Sequence, residues 1–318
     1  MVLLLAQCVP EAPHSNPLDP YHATTENSTL VTVSGEVLHK NPPHQPIAGC
    51  LVLLTPGQQY SRTNNQGEFS FENISPGAYQ LAVSRDGYAV DSLSIQTDTL
   101  GSTPLAIYLN GLPYIKSMHI YSEFIDQYWP DPYFQVRCEA ANGDPDGAND
   151  ITGAVLRIPE LDISRPLDET ASPDSMAVTL AENDFPGNDI FGMVGKEVWI
   201  DLTDRSESTV SAGPYYLHRI IDVSPVALEP AGLQTVGPRP QFVWDPYSAP
   251  FNFTYEVNIY YVPAGIRLLI HTIRGIPTSE QEYSFTDSLA NGNYFWAIGV
   301  RDELGNYSRS KEEAFVVQ

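Results

Sequence analysis

Basic residues are scarce in this chain. Its 318 residues include 16 Lys and Arg against 39 Asp and Glu, a formal net charge of −23. Charged residues amount to 17%, where about 25% is usual, and the shortfall lies on the basic side. A surface of that sign repels phosphate backbones and anionic lipid, which argues against nucleic-acid binding and polybasic membrane docking and leaves a soluble or tethered acidic protein as the expectation. No apolar run approaches the ~18 residues of a membrane span. Cysteine occurs only as Cys8, Cys50 and Cys138, without CxxC or Cys/His spacing for zinc. Cys50 and Cys138 fall in separate predicted domains and are expected as buried small hydrophobes rather than a disulfide. Local signatures of catalysis are lacking too: no Gly-x-Ser-x-Gly elbow, phosphate loop, dinucleotide Gly-x-Gly-x-x-Gly or His-Glu-x-x-His occurs, and the seven histidines are scattered.

What the chain does contain is 42% apolar residues, enough to bury cores in two or three domains. With 27 Pro, 22 Gly and 18 Tyr, and no long Ala/Glu/Lys/Leu stretch, it favours strands and turns. Short alternating runs begin with Val31-Thr-Val33-Ser-Gly35-Glu-Val37 and Ile47-Ala-Gly-Cys50-Leu-Val52. Thr63-Asn-Asn-Gln-Gly67-Glu-Phe69-Ser-Phe71 is expected as a hairpin about an Asn/Gly turn, with Phe69 and Phe71 on one face. Pro76-Gly77 then turns the chain into a strand that aligns Tyr79, Leu81 and Val83.

This order of motifs, closing with Arg85-Asp-Gly87-Tyr88, resembles the carboxypeptidase regulatory-like domain over about 80 residues. The resemblance implies a transthyretin-like, seven-stranded sandwich of the kind found beside peptidases and in surface proteins, grouped with carbohydrate-binding-like folds. It does not imply peptidase activity, and the His-x-x-Glu zinc pair of metallocarboxypeptidases is absent. At the other end, Phe242-Val-Trp244, Tyr255-Glu-Val257-Asn-Ile259 and the run Gly292-Asn-Tyr294-Phe-Trp296-Ala-Ile298-Gly-Val300 resemble a fibronectin type III-like sandwich, with Tyr294 placed as a tyrosine-corner residue. Between them, Tyr133 to Cys138, Ile151 to Ile158, Glu197 to Leu202 and Tyr215 to Ile221 are candidate strands. Their span and the Asp-Pro-Asp-Gly loop resemble Ig-like domains of bacterial surface proteins. The expected organisation is therefore all-β: a leader and disordered linker over 1–29, then three consecutive β-sandwich domains, transthyretin-like over 30–110, Ig-like over 111–224 and fibronectin type III-like over 225–318.

Leu5-Ala6-Gln7-Cys8 resembles the lipobox of bacterial lipoproteins, followed by a Pro-rich polar spacer. That resemblance implies acylation of Cys8 and, from Val9, outer-membrane retention. Gln7 departs from the small residue usual there, and the Val2 to Ala6 run is shorter than an export segment, so an upstream start is expected.

Two places are candidates for binding. Asn142-Gly-Asp144-Pro-Asp146-Gly147-Ala-Asn-Asp150 offers oxygen ligands two apart and a Gly for a sharp turn, which suits Ca²⁺, with Asp144, Asp146 and Asp150 as metal ligands. Gly153 stands where a bidentate Glu would complete a calcium loop, and the same residue types also make an ordinary β-turn. Glu182, Asp184, Asn188 and Asp189 could join such a site in space or be solvated loop. In Tyr128-Trp129-Pro-Asp-Pro-Tyr133, the aromatics Tyr128, Trp129 and Tyr133 could stack on a sugar or anchor a partner, with Asp126 and Asp131 accepting hydroxyl hydrogens; interdomain packing is the plainer use. The function expected is that of a non-enzymatic cell-envelope lipoprotein with a membrane anchor, binding glycan or an envelope protein. The alternatives are an assembly subunit and an enzyme with a dispersed active site.

Overall fold

The computed structural model describes residues 30–98, 104–172 and 174–318. Cys8 and the predicted linker lie outside the described residues. Among the described residues there is no α-helix; the strands are joined by turns and short 3-10 segments. The chain divides into two units, Met1–Leu109 and Asn110–Gln318.

The first unit contains β1 (Val31–His39), β2 (Leu51–Thr55), β3 (Gln59–Arg62), β4 (Glu68–Ile74), β5 (Gly77–Ser84), β6 (Asp91–Thr97) and β7 (Leu105–Leu109). They form two sheets, ordered β4-β1-β7 and β3-β2-β5-β6. This is the seven-stranded sandwich expected. Alternation does the sorting: Val33, Val37, Phe69, Phe71, Ile107 and Leu109 from one sheet meet Val52, Leu54, Leu81 and Val83 from the other, all buried. Cys50 is a buried free thiol in the same core.

The Asn/Gly turn departs from expectation. It does not close a hairpin, because β3 pairs with β2 while β4 pairs with β1 in the opposite sheet. Asn64 Oδ1 accepts from the N–H groups of Gln66 (2.9 Å) and Glu68 (2.9 Å), and Gly67 sits at φ +75°, so the turn swings the chain across the sandwich. Gly35 permits the parallel approach of β1 to β7, since a Cβ there would overlap the Leu105 carbonyl oxygen.

The second unit begins with β8 (Tyr114–Ile125), β9 (Tyr133–Gly143), β10 (Ile151–Ile158), β11 (Ile163–Pro166), β12 (Asp168–Glu169), β13 (Ser175–Ala181), β14 (Val198–Asp204) and β15 (Thr209–Tyr215). The sheet β11-β10-β14-β15 packs Leu156, Ile158, Ile200 and Leu202 against Val136, Cys138, Ala140 and Leu180 of the facing strands. Cys138 is likewise free. The strand predicted over Tyr215 to Ile221 is not formed, and β15 ends at Tyr215. Its apolar residues serve two cores instead: Leu217 belongs to this one, Ile220 packs against it, and Ile221 enters the next.

There follow β16 (Ala227–Glu229), β17 (Gln234–Val236), β18 (Gln241–Trp244), β19 (Phe253–Tyr261), β20 (Leu268–Ile276), β21 (Glu282–Ser284), β22 (Gly292–Asp302), β23 (Tyr307–Arg309) and β24 (Glu313–Val317). Phe242 and Trp244 of the sheet β16-β18-β21 face Tyr255, Val257, Trp296, Ile298 and Phe315. Tyr294 Oη donates to the Ala290 carbonyl (2.8 Å), the tyrosine-corner bond expected, and Trp296 Nε1 donates to the Pro230 carbonyl (2.7 Å).

The two cores of this unit share a sheet. A ten-stranded sheet runs β12-β13-β9-β8-β23-β22-β19-β20, with β24 paired to β22 and β17 to β24. The link is a parallel pairing of Tyr307–Arg309 with Glu123–Ile125. Asn306, almost fully buried, accepts through Oδ1 from Ser122 N–H (2.8 Å) and Ser122 Oγ (3.1 Å), while its Nδ2 donates to Asp302 Oδ2 (2.9 Å).

Two substitutions probe these contacts. Gly35→Ala is expected to destabilise the first unit by about 1–3 kcal/mol through overpacking against β7, and Asn306→Ala to cost about 1–3 kcal/mol by stranding the buried Ser122 amide. Urea unfolding monitored on each unit checks both; a change within error at either position removes the corresponding contact from the account.

Candidate functional site

The acidic loop leaves the end of β9 and enters β10 through a short 3-10 turn at Ala148–Asp150. Its own polar groups shape it. Asp144 Oδ1 accepts from Asp146 N–H (2.7 Å), the Asp144 carbonyl accepts from Gly147 N–H (3.0 Å), and the Gly147 carbonyl accepts from Asp150 N–H (2.9 Å). Gly147 holds φ 108°, which disfavours a side chain at that position. This coil turns Asp144, Asp146 and Asp150 together, with one ligand oxygen from each lying within 4.8 Å of the others.

More distant residues close the site. Gly111 N–H donates to Asp146 Oδ2 (2.6 Å). Asn110 Nδ2 donates to Asp204 Oδ2 (2.6 Å) and to the Gly111 carbonyl (2.8 Å), and Asp204 Oδ1 accepts from Ser208 N–H (2.8 Å). Asp150 and Asp204 are 2% and 1% exposed. Burial, with added repulsion from Asp150, Asp146 and Asp204, pushes the Asp144 carboxyl up to about 6. The sign follows: as pH rises through that value, the proton leaves a carboxyl whose charge is poorly accommodated, and stability of the folded chain falls. Asp144 Oδ2, Asn110 Oδ1, Asn142 Oδ1 and Asn142 Nδ2 are buried without a hydrogen-bonding partner.

The three loop aspartates singled out in the sequence lie together in the structure, whereas the sequence does not reveal Asn110 or Asp204. Asp204 arrives by register, opposite Ile151 on β10, the residue next to Asp150. Asn110 arrives as the first residue after β7. Two of the other acids considered for this site, Asp184 and Asp189, are used elsewhere. Asp184 pairs with Arg165 (3.0 Å) and accepts from Ala181 N–H, and Asp189 accepts from the N–H groups of Phe191 and Gly192.

The aromatic loop joins β8 to β9. Trp129 is 80% exposed and Tyr128 67%, while Tyr133, the first residue of β9, is only partly covered. These rings are therefore not used for core packing. The base of the loop is tied: buried Gln127 donates to the Asp131 carbonyl (3.4 Å), Ser224 Oγ donates to Asp126 Oδ2 (2.9 Å), and Lys311 Nζ sits 5.2 Å from the Tyr128 ring centroid. The histidines with ring contacts include His44 against Tyr108 and His271 against Phe285.

Comparison with known proteins bears on the first unit most directly. Residues 32–110 match the family model of the carboxypeptidase regulatory-like domain. No curated protein matches the chain. Among solved structures, BcpA, the major pilin subunit of Bacillus cereus, is 10% identical with a TM-score of 0.29, covering 90% of this chain and 98% of that one. The FN1-FN3 domains of chicken CNTN1 are 9% identical with a TM-score of 0.34, covering 86% and 92%. The fibronectin(III)-like modules of Clostridium thermocellum CbhA are 11% identical with a TM-score of 0.28, covering 65% and 93%. At such identities and scores none of these likenesses assigns an activity to this chain.

Proposed function

We propose that the protein is a non-catalytic binding module of the bacterial cell envelope, anchored through an acylated Cys8 and recognising glycan with the Trp129 loop. The observation that carries this reading is the exposure of Trp129 and Tyr128 on a loop whose base is fastened by Gln127, Asp126 and Lys311. Aromatic faces held out on a rigid support lose little conformational freedom on binding and offer a flat apolar surface to a sugar ring, while the exposed Asp131 can accept hydroxyl hydrogens. The anchor rests on the lipobox-like Leu5-Ala6-Gln7-Cys8 and the spacer after it. Acyl chains contribute about 0.8 kcal/mol per buried CH₂, and a net charge of −23 would keep the folded part away from anionic headgroups.

A second reading, assembly into a surface structure, has its own support. The edge strand β20 and the turn before it expose Ile266, Leu268, Leu269 and Ile270, the kind of edge that pairs with another chain.

A panel of soluble envelope polysaccharides, read by thermal shift and calorimetry on the full chain, separates the two. Glycan recognition predicts a raised melting temperature and about tenfold or greater weakening of binding in Trp129→Ala. No response to any glycan, together with concentration-dependent oligomers in sedimentation velocity that Leu269→Lys dissolves, would replace it with assembly. Mass spectrometry of the protein expressed in a bacterial host with its upstream sequence tests the anchor, which an unmodified Cys8 would refute.

A further inference from the structure

Buried acids in this fold are ordinarily matched with arginine. Glu256, buried in the last sandwich, lies 3.0 Å from Arg274 and 3.2 Å from Arg301. Glu312, also buried, lies 2.6 Å from Arg267 and 2.8 Å from Arg309. The loop after β9 is built differently. The charges that act most on Asp144 are Asp150, Asp146 and Asp204, all of its own sign, and Arg205, the basic residue next to Asp204, is exposed. Gathering like charges away from water is unfavourable unless they are protonated, paired or bridged by a cation.

A second observation is independent of the carboxylates. Asn110 is more than nine-tenths buried, and its amide nitrogen is clamped on Asp204 and the Gly111 carbonyl, yet its Oδ1 has no donor. Asn142 is 1% exposed, and neither its Oδ1 nor its Nδ2 has a partner. With Asp144 Oδ2, three sealed oxygens along the same loop and strap therefore wait for an electrophile. Gly111 keeps the strap close: its amide binds Asp146, and a Cβ there would press on Asp144 Oδ1 at 2.9 Å.

We propose that Asp144, Asp146 and Asp150, completed by the side-chain oxygens of Asn110 and Asn142, bind a Ca²⁺ ion. The donor set is all oxygen, as a hard cation requires, with neither the imidazole nor the thiolate that would favour zinc or copper. Calcium takes six to eight oxygens at about 2.3–2.6 Å, so opposite ligands stand about 5 Å apart, which suits carboxylates within 4.8 Å of one another. Mg²⁺ wants about 2.0–2.1 Å in strict octahedral geometry and keeps its waters. Asp204 acts as a positioning residue, holding the Asn110 amide so that its oxygen is free to ligate. The ion fastens three stretches of the second unit to one another: the entering strap at Asn110 and Gly111, the loop itself, and through Asp204 the end of β14. None of this involves the Trp129 loop, so the outcome of the glycan experiments leaves it untouched.

The test uses the full chain stripped with EGTA, titrated with CaCl₂ in a calorimeter and melted with and without the ion. Calcium at about a hundredfold excess over Kd is expected to raise the melting temperature of the second unit by about 5–10 °C, with MgCl₂ at the same concentration giving a much smaller shift. Asp144→Asn supplies a crossover that a purely structural role would not produce: in EGTA it melts at or above the wild type, because a repelling charge is gone, whereas in calcium it melts below. Asp150→Asn is expected to cross in the same way, and Asn110→Ala, which removes an oxygen but no charge, to weaken calcium binding several-fold. Wild-type protein with neither binding heat nor a calcium-dependent shift would overturn the proposal, as would variants Asp144→Asn and Asp150→Asn that keep the full shift.

Discussion

Three residues of parallel pairing, Tyr307–Arg309 against Glu123–Ile125, make the second unit one body rather than two beads. So short a ladder needs help, and the help is a buried polar network. Asn306 links Ser122 to Asp302; Arg309 donates to Tyr260 and Glu312; Glu256 collects Arg274 and Arg301, and the Asn258 amide donates to the Tyr307 hydroxyl. Networks of this kind contribute little net stability, because desolvation offsets most of the attraction, but they tolerate few alternative arrangements. Register is what they fix. Lys311, which reaches the aromatic loop from the far side of the seam, is positioned by the same turn that carries Arg309 and Glu312.

The contrast between that seam and the acidic loop shows two solutions to one electrostatic problem. In the seam, carboxylates and guanidiniums are brought together from strands and turns and neutralise each other within the chain. In the acidic loop, with bases at a premium throughout the sequence, carboxylates arrive with carboxylates and with amide oxygens that have nothing to accept. A chain so short of lysine and arginine has few bases to set beside its buried acids, and the surroundings of Asp144 are where that shortage shows.

Much of the fold is legible in the residue pattern because inward and outward positions alternate in strands such as β1, β2 and β14, while β19 and β22, buried over consecutive residues, stand out by their apolar and aromatic content. Val33 and Val37, Leu81 and Val83, and Tyr294, Trp296 and Ile298 all read directly as buried faces. What pattern cannot supply is pairing. The run Thr63 to Phe71 has every local mark of a hairpin, yet its two arms go to opposite sheets, a choice made by partners elsewhere in the chain. The run Tyr215 to Ile221 is rich in apolar residues because it serves two cores, not because it is a strand. Strand β23 shows no apolar alternation at all, and its place is dictated by the Asn306 side chain. The same holds for the candidate sites. Asp144, Asp146 and Asp150 are neighbours in sequence and could be seen there, whereas Asn110 and Asp204 reach the loop through a domain entry and a cross-strand register that single-sequence reading cannot see.

The first unit has a mechanical property that follows from its topology. Its first and last strands, β1 and β7, lie side by side and parallel, paired from Gly35 with Leu105 to His39 with Leu109. Tension applied through the chain, entering before β1 and leaving after β7, pulls these strands along their length in opposite directions. The hydrogen bonds between them are then loaded in shear and must yield together, rather than opening one at a time as in a peeled hairpin. A pull along the chain would therefore meet five residue pairs at once, from Gly35 with Leu105 to His39 with Leu109.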